Sequence, residues 1–152
     1  MTEEKLLELG IKLPQVAKPL AAYTPALKVG NLVMTSGQVP VVDGAIMYKG
    51  KLGKELSEDE GKKAAEICAL NCLAAVKSVI EDLDKISRVV KLVVFVASAE
   101  GFVNQPEVAN GASELIGKIF GEAGKHTRSA VGVAELPKGA AVEIEMIVEL
   151  KG

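Results

Sequence analysis

Hydrophobic positions change period several times along this chain, and each change marks an element. Leu6, Leu7 and Leu9 give Thr2 to Leu9 one sticky side, which predicts a short helix. Ile11 to Ala21 carries two prolines and no sustained period, so it reads as an extended linker and not as a domain boundary. Ala26 to Val29 and Leu32 to Thr35 flank Gly30-Asn31, a pair that tolerates positive φ, and predict a tight hairpin. "VDGA", Val42 to Ala45, signals a second turn. From Ile46 to Glu55, Gly50 and Gly53 lie among Lys49, Lys51 and Lys54, which predicts an exposed loop with little fixed structure. Ser57 and Glu60 form a capping box. Behind it Ala65, Cys68, Ala69, Cys72, Val76, Val79, Ile80 and Leu83 recur at helical spacing.

Val89 to Ala97, "VVKLVVFVA", is apolar on both alternating faces, as a strand buried on both sides should be. Pro106 suits a helix start, and Val108, Ala112, Leu115, Ile116, Ile119 and Phe120 supply the stripe that follows. Gly121 or Gly124 is expected to end that helix. Gly111 and Gly117 inside it each cost about 1 kcal/mol against alanine. The fold class is therefore α+β, with two main helices on one face of a sheet. Two helices leave the second face of such strands uncovered, and another copy of the chain is the simplest cover.

The closing stretch, "TRSAVGVAELPKGAAVEIEMIVEL", reads as a final hairpin turning at Leu136 to Gly139. Val142, Ile144, Met146, Val148 and Leu150 should meet the helices, while Glu143, Glu145, Ile147 and Glu149 take the other face. A turn there would pair Glu135 with Ala140 and Gly132 with Glu143. Arg128, Ala130 and Gly132 would then share the face of Glu143, with Arg128 about 13 Å along the strand from it. Chemistry alone leaves two readings of Arg128. One is a structural bridge to a carboxylate of a neighbouring subunit. The other is a fork of N–H donors for an anionic ligand, with Glu143 working on a nearby water.

Composition narrows the field. The chain has 152 residues, enough for one domain with a sizeable core. A net charge of -2, 3% aromatics and a single histidine argue against a nucleic-acid surface. The acidic N-terminus does not read as a signal peptide, and no apolar run reaches membrane-spanning length, so the expected compartment is the cytoplasm, with no membrane partner. Cys68 and Cys72 share a helix face and read as buried thiols, and the lone His126 excludes the usual multi-histidine metal site.

Three segments carry a resemblance. "VGNLVMTSGQVPV", "FVASAEGF" and "TRSAVGVAELPKGAAVEIEMI" are similar, in order and spacing, to the signatures of the Rid (YjgF) family of imine and enamine deaminases. The likeness runs from about Tyr23 to Val148, making residues 1–152 one Rid-like domain with an N-terminal extension over 1–22. It implies a chorismate-mutase-like homotrimer: a six-stranded, mostly antiparallel sheet backed by two helices, with the site between subunits. It also implies hydrolysis of small 2-imino or enamine acids to 2-keto acids and ammonia without metal or organic cofactor.

Carried over by position, Arg128 matches the arginine that grips the substrate carboxylate and Glu143 the carboxylate that helps position water. The backbone of Ala130 matches a further polar contact near that water. Tyr23, Ser36, Gly37 and Asn110 match other cleft residues, Ser36 and Gly37 facing it from a neighbouring subunit. The chain departs from the family where His126 and Thr127 replace Pro-Ala, and where Ser113 and Leu115 replace helix aromatics. His126 is thus either a hydrogen-bonded bystander or a proton donor to the departing amine. The alternative to catalysis is a regulatory trimer that binds a small carboxylate in the same cleft.

Overall fold

The structure is a computed structural model that describes residues 1–16 and 22–152, so the linker expected over Ile11 to Ala21 lies partly outside the described residues. In chain order the elements are α1 (Thr2–Glu8), β1 (Ala26–Val29), β2 (Leu32–Thr35), β3 (Val41–Val42), β4 (Ala45–Ile46), α2 (Glu58–Ile80), β5 (Ile86–Ala97), α3 (Gln105–Phe120), β6 (Thr127–Val133) and β7 (Val142–Leu150). The turn residues act as their chemistry requires. Gly30, at φ 61°, closes β1 onto β2, and Asp43 and Gly44, at φ 50° and 82°, close β3 onto β4. At the start of α2, Ser57 Oγ accepts from the Glu60 N–H at 3.2 Å, and Glu60 Oε1 accepts from the Ser57 N–H at 3.0 Å.

Five strands, ordered β1-β2-β7-β5-β6, make the main sheet, and β3 and β4 pair only with each other. Five strands replace the six expected, because the short runs around Asp43-Gly44 form a separate ribbon. The closing hairpin is also corrected. β6 does not pair with β7; it runs parallel to β5, which pairs on its other edge with β7. A parallel pair needs a long crossover, and α3 supplies it. β5 is apolar on both faces and so gains by being central. The expected turn, Leu136 to Gly139, instead carries the chain past the end of β5. Its hydrogen bonds go elsewhere: Gly50 N–H donates to Gly139 O at 3.0 Å and Ala141 N–H to Tyr48 O at 3.1 Å.

The same bonds correct the reading of the Ile46 to Glu55 loop. It is anchored: Leu52 is fully buried, its N–H donates to Ala97 O at 2.9 Å, and its carbonyl accepts from Ala99 N–H at 2.9 Å. The core lies between the helices and one sheet face. Val142, Ile144, Met146 and Val148 of β7 are buried there, as the alternation predicted, together with Leu92, Val94 and Val96 of β5, whose other face is not fully buried. Cys68 and Cys72 join α2 to β7, their thiols donating to Val142 O at 3.5 Å and Ile144 O at 3.3 Å. Burial pushes both thiols up, Cys72 to about 12.

α2 and α3 cross closely because Gly111 meets the backbone carbonyl of Lys62, where a Cβ would not fit. The opposite sheet face carries no helix among the described residues. Leu27 and Val29 are 55% exposed there, beside Met34 and Val131. α1 docks on the helix layer through Leu6, which is buried, and through Glu3, which accepts from Lys77 Nζ at 2.7 Å. No helix among the described residues is long and apolar enough to cross a membrane.

Candidate functional site

Arg128, second residue of β6, pairs with Leu92 in the sheet, and Leu92 is buried under the helices. Partners in a ladder point to the same face, so Arg128 lies on the helix side. There it reaches α3. Nη1 donates to Asn110 Oδ1 at 2.8 Å and to Ser113 Oγ at 3.1 Å. Asn110 and Ser113 sit three apart and so share one side of the helix. Ser113 Oγ is also 2.9 Å from His126 Nε2, and His126 Nδ1 is 2.6 Å from Gly124 O. Gly124 brings the chain back against the end of α3, where a Cβ would stand 2.7 Å from Ile116 O. A cleft of about 540 Å³ opens beside these groups, lined among others by Ser113, Gly117, Gly124, Lys125, His126 and Arg128. No described carboxylate forms an ion pair with Arg128.

Glu143 does not share that face. Its ladder partner is Phe95, itself opposite Val131, and these three side chains point away from the helices. Arg128 and Ala130 take the helix side; Ser129 and Val131 take the side of Glu143. The expected common face rested on a β6-β7 hairpin. With β5 between them, Arg128 and Glu143 are two strands apart, about 10 Å laterally, on opposite faces of the sheet.

A second group of the expected residues gathers around Glu143. Gln38 N–H donates to Ile144 O at 2.7 Å, and Ile144 N–H donates to Gln38 O at 3.0 Å. This bridge seats Gly37 over the Glu143 carboxylate. A Cβ on Gly37 would lie 2.6 Å from Glu143 Oε1, so only glycine leaves the carboxylate where it is. Ser36 Oγ donates to Thr24 O at 2.7 Å, beside the exposed Tyr23. Burial, and then the neighbouring Glu145, raise the Glu143 carboxyl above its ordinary value.

The expected residues thus fall into two clusters, Arg128, Asn110 and Ala130 on one side and Tyr23, Ser36, Gly37 and Glu143 on the other. The structure adds Ser113 to the first cluster and gives His126 its hydrogen bonds. The i, i+3 spacing of Asn110 and Ser113 was the available sequence signal. No group of three or more histidine, cysteine, aspartate or glutamate side chains among the described residues is placed to hold a metal ion.

The family described as "YjgF/chorismate_mutase-like, putative endoribonuclease" matches residues 3–150, and the chain belongs to this YjgF, or Rid, family. Protein TCP17 of Trypanosoma cruzi is 48% identical over 146 residues, covering 95% of this chain and 91% of that one. The 2-iminobutanoate/2-iminopropanoate deaminase of Dermatophagoides farinae is 32% identical over 142 residues, 93% of this chain and 95% of its own. The crystal structure of Atu1372, a protein of unknown function from Agrobacterium tumefaciens, superposes with a TM-score of 0.91 at 47% identity, covering 99% of this chain and 92% of that one.

Proposed function

We propose that this protein hydrolyses small 2-imino or enamine acids to 2-keto acids and ammonia, in clefts between the protomers of a homotrimer. The observation that carries this reading is the Arg128 guanidinium. It is braced by α3 through Nη1, open to a cleft and, among the described residues, without a carboxylate in ion-pair contact. Such a group favours a ligand carboxylate and holds it in a plane. The deaminase named among the relatives adds support for the substrate class.

The chemistry needs little machinery. A protonated imine carbon is already electrophilic. Water adds to it while Glu143, half-buried and raised in proton affinity, takes the water's proton. The same proton then returns to nitrogen, the C–N bond breaks, ammonia leaves, and loss of the hydroxyl proton completes the ketone. Held substrate and placed water supply proximity.

Within one protomer the sheet separates Arg128 from Glu143, so a site using both takes them from two chains. Arg128, Asn110 and Ala130 come from one protomer; Glu143, Gly37, Ser36 and Tyr23 come from its neighbour. Ribonuclease activity, which the family description carries, draws no support from a chain of net charge -2 with 3% aromatics.

The test is ammonia release from freshly generated 2-iminobutanoate. Arg128→Ala and Glu143→Gln should each lower the rate at least tenfold. Assemblies reconstituted from equal parts of the two variants should regain about a quarter of the sites, since half the interfaces receive each intact partner. No recovery would place both groups in one protomer. Arg128→Ala at the wild-type rate would remove the deaminase reading. Loss of 2-keto acid binding in Arg128→Ala, with no turnover of any imine, would leave a carboxylate-binding trimer.

A further inference from the structure

The geometry points to Ser113 and His126 as positioning residues for Arg128, fixing which edge of its guanidinium meets a carboxylate. This rests on the proposed role of Arg128 as the carboxylate anchor.

The hydrogen-bond directions follow from one fixed group. Gly124 O only accepts, so His126 Nδ1, 2.6 Å away, carries a proton and donates it. In the neutral ring Nε2 is then an acceptor, and Ser113 Oγ–H, at 2.9 Å, is the donor that meets it. With its single proton turned toward the imidazole, Ser113 Oγ presents lone pairs to Arg128 Nη1 at 3.1 Å. A doubly protonated ring would put a second cation on the same hydroxyl and leave the hydroxyl proton without an acceptor among these groups. The chain therefore runs one way, from Arg128 Nη1–H to Ser113 Oγ–H to His126 Nε2, with His126 Nδ1–H anchored on Gly124 O.

The second Nη1 proton goes to Asn110 Oδ1 at 2.8 Å. Nη1 is then fully occupied. Among the described residues no acceptor meets Nε or Nη2, and these two groups form the remaining bidentate edge. A substrate carboxylate is thus directed to the Nε–Nη2 edge. Both ring nitrogens of His126 are engaged within the chain, which removes it as the donor to a departing amine. Ser113 and His126 thus make one device behind Arg128.

Calorimetric binding of 2-oxobutanoate to the intact assembly, with KM and kcat for 2-iminobutanoate, tests this. Ser113→Ala should raise Kd and KM about tenfold while kcat stays within about twofold, the pattern of a lost ground-state contact. Ser113→Thr, which keeps the hydroxyl, should return both to within about twofold of wild type, and His126→Phe should follow Ser113→Ala in direction. Equal losses in Ser113→Ala and Ser113→Thr would overturn the inference. So would lowered melting temperatures in Ser113→Ala or His126→Phe with unchanged Kd, the mark of a purely structural role. Should Ser113→Ala not fold, His126→Phe alone decides by the same Kd. Wild-type binding by Arg128→Ala would end the anchor reading itself. Loss in Arg128→Ala alone would spare that reading and end the positioning role.

Discussion

At the scale of residues, the proposed chemistry rests on two charged side chains made different by their surroundings. Arg128 is braced by neutral acceptors; Glu143 is half-buried beside a like charge. Because the folded state raises the Glu143 carboxyl, its stabilising preference for the neutral acid is fully present below the ordinary value of 4.5. It is lost as pH rises through the raised value. Glu143→Gln, neutral at every pH, should match wild type in urea midpoint near pH 4 and exceed it at pH 7. An equal midpoint at both pH values would contradict this. Arg128 and Glu143 stand out in the sequence because each sits in a motif. The link from Ser113 to His126 does not, since it depends on Gly124 folding the chain back beneath α3, a contact across thirteen positions that no local period encodes.

At the scale of elements, alternation identified the buried face of β7 correctly, yet adjacency in sequence misassigned its partner. Leu136 to Gly139 has the composition of a hairpin turn. The deciding factor was β5, whose apolar residues on both faces make it worth pairing at both edges. Local turn chemistry is weak against that burial. The helix glycines show the same limit. Gly111 and Gly117 look alike in sequence, but Gly111 meets the Lys62 carbonyl and Gly117 meets nothing within 4 Å. Gly111→Ala should lose about 2 kcal/mol as the helices are forced apart. Gly117→Ala should gain about 0.5–1 kcal/mol from helix propensity. Urea denaturation of the two variants checks the opposite signs, and two losses of equal size would refute the assignment.

At the scale of the whole molecule, the proposed assembly turns on the open sheet face. Leu27, Val29, Met34 and Val131 lie exposed on it, with Phe95 and Ile147 half-buried among them. The sequence anticipated this face from strands apolar on both sides and only two main helices. Contact between copies on it is part of the proposed trimer. Light scattering at micromolar concentration should give three times the chain mass for the wild type. Met34→Asp, which puts a charge in the centre of the patch, should give the single-chain mass. A monodisperse wild-type monomer would remove the trimer and the shared cleft together. The placement of Arg128 and Glu143 on opposite faces has a further consequence under the proposed reading. Active centres are then counted by contacts between chains and not by the chains themselves. A pair joined by one such contact completes one centre and leaves one Arg128 and one Glu143 idle at its ends. Only a closed ring leaves no half unused, so closure itself becomes part of the enzyme's efficiency.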